Sequence, residues 1–213
     1  MLLKAVKLPF EGVEILQDVK SQAVSSDVEA LYKTITAEFS PNYDHTVQKI
    51  LELGTGNGVL AVMVALTYCN WDITAIEAQI PLYLLAKRNV QAANVNVKVE
   101  LADFRALACN NTGKDYDAIL CNPPYTKLGS GKISPNLSKL FSRFEIVCDM
   151  KDVLSTIKWG LKDKGKAFVL YPEQRKQELQ KYCEIMQLKI SKIVLANYGK
   201  NENRVAVYVL ENE

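Results

Sequence analysis

From Gln48 onward the chain repeats one alternation, and nothing else in it limits the fold as strongly. Short apolar runs, "QKILELG", "WDITAIEA", "VNVKVELAD", "YDAILCNPPY" and "GKAFVLYPE", are separated by stretches with apolar residues at helical spacing. Those stretches are "NGVLAVMVALTYC", "IPLYLLAKRNVQAANV" from Ile80, and a segment around Asp152 to Leu161. Strands split by helices of this length predict right-handed crossovers and an α/β fold with a doubly wound, mainly parallel sheet. The last two runs, "LKISKIVLANYG" and "NRVAVYVLE", are joined by a turn of Gly, Lys and Asn and predict a C-terminal antiparallel hairpin at the sheet edge.

The pattern before residue 46 is less regular. "VEILQDVKSQAVSS" reads as a small hairpin, and "SSDVEALYKTITAEF" as an amphipathic helix with Ser25, Ser26 and Asp27 as candidate caps. Residues 1–45 are therefore expected to form an extension packed on a body made of 46–213. With 213 residues, 48% of them hydrophobic and 23% charged, the chain can bury a full core, and neither disorder nor a membrane span is suggested. The apolar run that begins at Val59 is far short of a spanning helix. The start, "MLLKAVKLPFEGVE", reaches Pro9 and Glu11 before any long apolar core, with no small-residue cleavage site after it, so a cytoplasmic protein is expected.

Five cysteines, Cys69, Cys109, Cys121, Cys148 and Cys183, form no C-x-x-C pair. That argues against a zinc site and a disulfide framework and leaves most of them as small buried hydrophobes. No metal is expected. The net charge of +2 neither demands nor excludes a nucleic-acid partner, because a local basic stripe governs phosphate attraction.

"ILELGTGNG" ends the first core strand at an acid, Glu52, and breaks into glycine at positions 54, 56 and 58, with Thr55 and Asn57 between them. Gly54, Gly56 and Gly58 allow positive φ and let a ligand lie against the main chain, while the following helix offers its free N–H groups. A P-loop is disfavoured, since no Lys-Ser or Lys-Thr pair follows. A nicotinamide dinucleotide site is weakened, because Val59 stands where the third glycine of G-x-G-x-x-G belongs. The second strand ends at Glu77 and Ala78, 23 positions beyond Gly54 for the acid, and a carboxylate there can accept both hydroxyls of a ribose. The third strand ends in "LADFR", which brings Asp103 to the same rim to accept from an amino group and Phe104 to offer a face or pack in the core.

The fourth strand runs into Asn122-Pro123-Pro124-Tyr125. With a glycine turn after strand one, an acid after strand two and an acid after strand three, this order resembles the class I S-adenosyl-L-methionine-dependent methyltransferases that act on planar amino groups. The resemblance implies a seven-stranded Rossmann-like sheet with S-adenosyl-L-methionine as cofactor. Glu52, Gly54, Thr55, Gly56, Asn57, Gly58, Glu77, Ala78, Asp103 and Phe104 would then face the cofactor. The chemistry accounts for the tetrapeptide: two prolines remove two donors and fix φ. The Pro123 carbonyl and the Asn122 side-chain oxygen are thus left to accept both hydrogens of an exocyclic NH2. Tyr125 would stack on the planar acceptor, an interaction of roughly 1 to 3 kcal/mol per base. The amine lone pair needs no strong base before attack, so the single histidine, His45, is given no catalytic role.

"NPPYTKLGSGKISPNLSKLFSRFE", "ILQDVKSQAVSSDVEALY" and "YPEQRKQEL" are similar to the bacterial tRNA(Val) adenine-37 N6-methyltransferase family. That likeness implies a tRNA partner, N6 methylation of an adenine, and no membrane. Lys127, Lys132, Lys139 and Arg143, with Asn136 in the same Ser-Pro-Asn-containing loop, form the best basic stripe to meet phosphates, the alternative being a solvated loop without a partner. The chain is short for that family, and past strand five it carries only the scattered bases Arg175, Lys176, Lys181, Lys189 and Lys192. Three other readings stay open: methylation of a glutamine amide in a peptide release factor, guanine N2 methylation in ribosomal RNA, and a non-catalytic module that binds the cofactor or RNA. Oligomeric state is not legible.

Overall fold

The computed structural model describes residues 2–19, 26–39, 48–109, 113–125, 148–196 and 204–213. A two-stranded antiparallel hairpin, β1 (Leu3–Lys7) and β2 (Glu14–Asp18), comes first, followed by helix α1 (Ser26–Glu38). The body follows as β3 (Lys49–Leu53), α2 (Val59–Thr67), β4 (Asp72–Glu77), α3 (Ile80–Ala92), β5 (Val97–Leu101), a 3-10 turn over Phe104–Cys109 and β6 (Tyr116–Cys121). It ends in α4 (Met150–Gly160), β7 (Leu161–Pro172), α5 (Lys176–Ile185), β8 (Leu188–Leu195) and β9 (Val205–Asn212).

Seven strands form one sheet in the order β5-β4-β3-β6-β7-β9-β8. The pairs β3·β4, β4·β5, β3·β6 and β6·β7 are parallel, and β9 is antiparallel to both β7 and β8. The C-terminal hairpin is present as expected, but only β8 is an edge. Every residue from Val205 to Leu210 is buried, so β9 suits an interior position, whereas β8 mixes exposed lysines with apolar residues.

Side-chain alternation along the strands sends two sets of residues to opposite faces. Ile50, Ala118, Leu120, Phe168 and Val207 pack with α1, α2 and the hairpin, while Leu51, Leu53, Ile119, Val169 and Tyr208 pack with α4 and α5. Helices therefore cover both sides, as the alternation of the sequence requires. Two local signals set helix starts: Pro81 lies in the first turn of α3, and Asp149 and Asp152 form a reciprocal capping box on α4. Helix α5 is absent from the sequence-based expectation because it buries only Leu179 and Cys183, too few to mark a period.

The hairpin is displaced from its expected place. Its turn falls at Pro9 to Gly12, where Gly12 has φ +71° and Leu8 donates its N–H to the Val13 carbonyl, so "EILQD" is the second strand. Turn chemistry decided the matter: Pro and Gly lie ahead of Glu14, and the stretch after Asp18 has neither.

Asn89, fully buried on α3, fastens this hairpin to the body. Its Oδ1 accepts the Leu16 N–H at 2.7 Å, and its Nδ2 donates to the carbonyls of Leu16 and Asn57, each at 2.8 Å. Asn89→Leu would remove the side-chain partner of three part-buried main-chain groups, the Leu16 N–H and the carbonyls of Leu16 and Asn57, and a loss of roughly 2 to 3 kcal/mol is expected. Urea denaturation measures it, and faster amide exchange at Leu16 than at Leu51 would localise the loss to the hairpin.

Candidate active site

Strand register builds the site. Leu53 pairs with Ile76 on one side and with Cys121 on the other, so Gly54 and Asn122, the first residues past their strands, leave the sheet beside Glu77, the last residue of β4. Glu77 pairs with Leu101, which brings Asp103 to the same end two residues on. The chain order reverses between β3 and β6, and the carboxyl ends of strands at such a switch point form an open crevice.

The glycine turn has the conformation its sequence calls for. Gly54 and Gly56 have φ of +68° and +62°, and a Cβ on either would meet nothing within 4 Å, so their main chain borders open space. Gly58, at φ +80°, lies against α3, where an added Cβ would come within 3.2 Å of the Ala86 Cβ. It is also the N-cap of α2 and supplies no side chain to cap the helix.

Two buried acids brace the turn from beneath. Glu77 accepts the N–H of Gly56 at 2.9 Å and of Gln79 at 2.8 Å, and that of Ala78 as well; burial nevertheless pushes its carboxyl upward. Glu52 accepts the Thr55 hydroxyl at 2.6 Å and the Ala61 N–H in the first turn of α2. Burial pushes it up to about 7, the bonds from Thr55 and Ala61 work against that, and the neighbouring Glu77 adds a little to it. Thr55 also donates its own N–H to the Ile76 carbonyl at 2.9 Å, and Asn57 is held through its carbonyl by Asn89.

Asp103 differs from the other two acids. It is partly exposed, and Arg105 forks onto both of its oxygens, which holds its carboxyl below the usual range. An adenine amino group would have to share it with that guanidinium. Phe104 is half-buried and packs against the core cluster of α4.

In the tetrapeptide Pro123 is buried, while Asn122, Pro124 and Tyr125 are half-buried at the mouth of the crevice. Two residues missed at the sequence level hold Tyr125. Its hydroxyl donates to Asp27 Oδ2 at 3.1 Å, and its carbonyl accepts from Arg175 Nη1 at 3.2 Å. Asp27 reads in the sequence as a helix cap and Arg175 as one of several scattered bases, and neither position signals a contact with residue 125. The candidate substrate residues Lys127, Lys132, Asn136 and Arg143, along with Lys139 and His45, lie outside the described residues.

Cys121 and Cys183 are buried, and burial pushes the Cys183 thiol up to about 12, so both are inert core residues; Cys69 is exposed and Cys148 half-buried. Among the described residues no cluster of His, Cys, Asp and Glu could hold a metal ion, and no helix is long and apolar enough to cross a membrane.

Residues 25–148 match the family described as methyltransferase small domain. The chain is 28% identical over 144 residues to the tRNA1(Val) (adenine(37)-N6)-methyltransferase of Trichodesmium erythraeum (strain IMS101), covering 66% of this chain and 59% of that one. It is 30% identical over 162 residues to the protein of the same name from Histophilus somni (strain 129Pt), covering 73% and 66%. The chain thus spans about three fifths to two thirds of the length of these relatives. Among solved structures, TrmN from Thermus thermophilus superposes with a TM-score of 0.62 at 21% identity, over 87% of this chain and 48% of that one. M. jannaschii TYW2, solved in complex with AdoMet, gives 0.65 at 15% identity, over 99% and 87%. Identities this low establish a shared fold.

The buried Glu52 makes stability depend on pH. Its folded carboxyl keeps a proton up to about pH 7, against an ordinary value of 4.5, so the folded state binds more protons in between. Its contribution is fully present below about 4.5 and is lost as pH rises through about 7, on the order of a few kcal/mol. Glu52→Gln should flatten that fall, raising the thermal midpoint of the cofactor-free protein at pH 7.5 by roughly 5 °C or more relative to its parent. Parallel melting curves from pH 4.5 to 7.5 for the two proteins check it.

Proposed function

The chain belongs to the methyltransferase small domain family, and from that premise we propose that it is an S-adenosyl-L-methionine-dependent N-methyltransferase whose acceptor is the N6 amino group of an adenine in tRNA. One observation carries the reading: register sets the glycine turn, Glu77 and Asn122 next to one another at the switch point, with N-P-P-Y as the exit from β6. The names of the relatives aligned to most of the chain support tRNA and adenine N6. A tRNA acceptor implies action in the cytoplasm.

The residues present fit the cofactor. Main chain open above Gly54 and Gly56, and an N-cap residue of α2, Gly58, that adds no side chain, suit a ligand that lies flat on the turn. Glu77 presents about four acceptor positions to three main-chain donors, which leaves capacity for a ribose hydroxyl. Gly54, Gly56, Glu77 and Ala78 would hold the nucleoside, with Asp103 and Phe104 at its base. When bound, S-adenosyl-L-methionine supplies an electrophilic methyl group on a sulfonium.

Asn122 and Pro123 hold the acceptor. The Asn122 side-chain oxygen and the Pro123 carbonyl take the two hydrogens of the NH2 and so point the nitrogen lone pair at the methyl. Tyr125 holds the ring plane. Fixing the acceptor in this way can contribute about 7 to 11 kcal/mol, and the proton leaves to water after attack. An unpaired loop adenine is the easier one to present, because extrusion from a duplex costs a few kcal/mol.

Nucleoside mass spectrometry of unmodified bulk tRNA incubated with protein and S-adenosyl-L-methionine should show new N6-methyladenosine. Its absence, with cofactor binding demonstrated in the same preparation, would overturn the choice of acceptor. Asn122→Ala should cut turnover by at least about a hundredfold with cofactor Kd within about twofold, and a variant with normal turnover would remove Asn122 from the amine-holding role. Glu77→Ala should weaken cofactor binding by roughly tenfold or more in calorimetry, since a charge-assisted bond and the brace under Gly56 are lost together.

A further inference from the structure

We propose that Asp27 is a positioning residue for methyl transfer: with Arg175 it grips Tyr125 at both ends and sets the plane on which the acceptor stacks. This rests on the reading of Tyr125 as the stacking residue. No element of secondary structure includes Asn122 to Tyr125, so the orientation of the Tyr125 ring has to come from side-chain contacts. Two contacts among the described residues, one at the hydroxyl and one at the main-chain carbonyl, reach Tyr125 from opposite sides of the sheet. Asp27 stands in the first turn of α1, on the face shared with α2, and Arg175 leads into α5, on the face shared with α4. Tyr125 itself packs against both core clusters.

Each holder is fixed in turn. Asp27 is only 6% exposed, and α1 is set into the core through Leu31 and Ile35, both fully buried. At its far end Glu38 bonds Lys166 at 2.6 Å and Lys192 at 2.7 Å, which pins the helix to β7 and β8. Arg175 forks onto Glu178 at 3.1 and 3.0 Å and lies over the Tyr171 ring, 5.4 Å from its centroid. Arg175 fixes the Tyr125 main chain at its carbonyl, and the bond from the hydroxyl to Asp27, with packing against both clusters, then restricts the ring about χ1 and χ2. Holding the ring this way orders the acceptor before the reaction, and a displacement of about 1 Å at such a site can cost a hundredfold in rate. A bare helix-cap role for Asp27 predicts none of this, because a cap has no reason to meet a residue 98 positions along the chain.

A double-mutant cycle separates the two roles. Asp27→Ala should lower kcat on tRNA by roughly tenfold to a hundredfold, with cofactor Kd within about twofold, and Asp27→Asn, which keeps an acceptor oxygen, should restore much of it. In the Tyr125→Phe background, where the hydroxyl is already gone, Asp27→Ala should cost less than about twofold more. An equal loss in both backgrounds would overturn the proposal, since Asp27 would then act through α1 alone. A second measurement needs no substrate: 3-fluorotyrosine placed at position 125 should give a fluorine resonance that moves and broadens on Asp27→Ala. An unchanged resonance overturns the clamp. Should the wild-type protein methylate no adenine in tRNA while the resonance moves, the acceptor assignment fails and the clamp on Tyr125 stands.

Discussion

The pairing of Leu53 with Ile76 and with Cys121 is the constraint on which the rest of this molecule depends. A shift of one residue in either ladder would turn a whole strand over, sending Ile50 to the face of Leu51 and breaking both core clusters at once. Register is thus set by burial on two faces, far more firmly than any loop could be. The site inherits that firmness, because Glu77 is the last paired residue of β4 and Gly54 and Asn122 are the first residues past the ends of β3 and β6. No side chain at the rim needs to be long for three loops to converge there.

That convergence carries a cost, which falls on Glu52 and Glu77. Both carboxyls are nearly removed from water and lie near each other, and both are pushed toward the protonated form. What offsets the cost is the main chain: N–H groups of Gly56, Ala78 and Gln79 close on one acid, the Thr55 hydroxyl and the Ala61 N–H on the other. A turn with three glycines has more freedom to lose on ordering than one of the same length built from other residues. These bonds hold it in one shape before a ligand arrives, which is the physical sense of preorganisation.

Most of the body was legible in the sequence, since periodicity reports burial and burial sets strands, helices and their layers. The glycine turn, Glu77 and the exit at Asn122 were legible for the same reason: each marks the end of an apolar run. Three features were not. The hairpin turn at Pro9 to Gly12 lies ahead of a run that reads as a hairpin by itself, and α5 buries too few residues to show a period. Asn89, Asp27 and Arg175 act through partners 73, 98 and 50 residues away, and no local pattern encodes contacts at that separation. Polar residues that cross-link elements are the class a single sequence hides best, because their types are the same ones found on any surface.

Those three residues have one thing in common beyond their invisibility. Asn89 joins the hairpin to the glycine turn, Asp27 joins α1 to the N-P-P-Y segment, and Arg175 joins the start of α5 to the same segment. The seven-stranded sheet brings the loops together, yet the loops are oriented by elements outside their own β-α units. The hairpin and α1 therefore do more than cover one face of the sheet, for two of the three cross-links reach them, at Leu16 and at Asp27. Local opening of the first turn of α1 would release the Tyr125 hydroxyl while leaving the sheet intact, whereas the glycine turn would keep its bonds to Glu52 and Glu77.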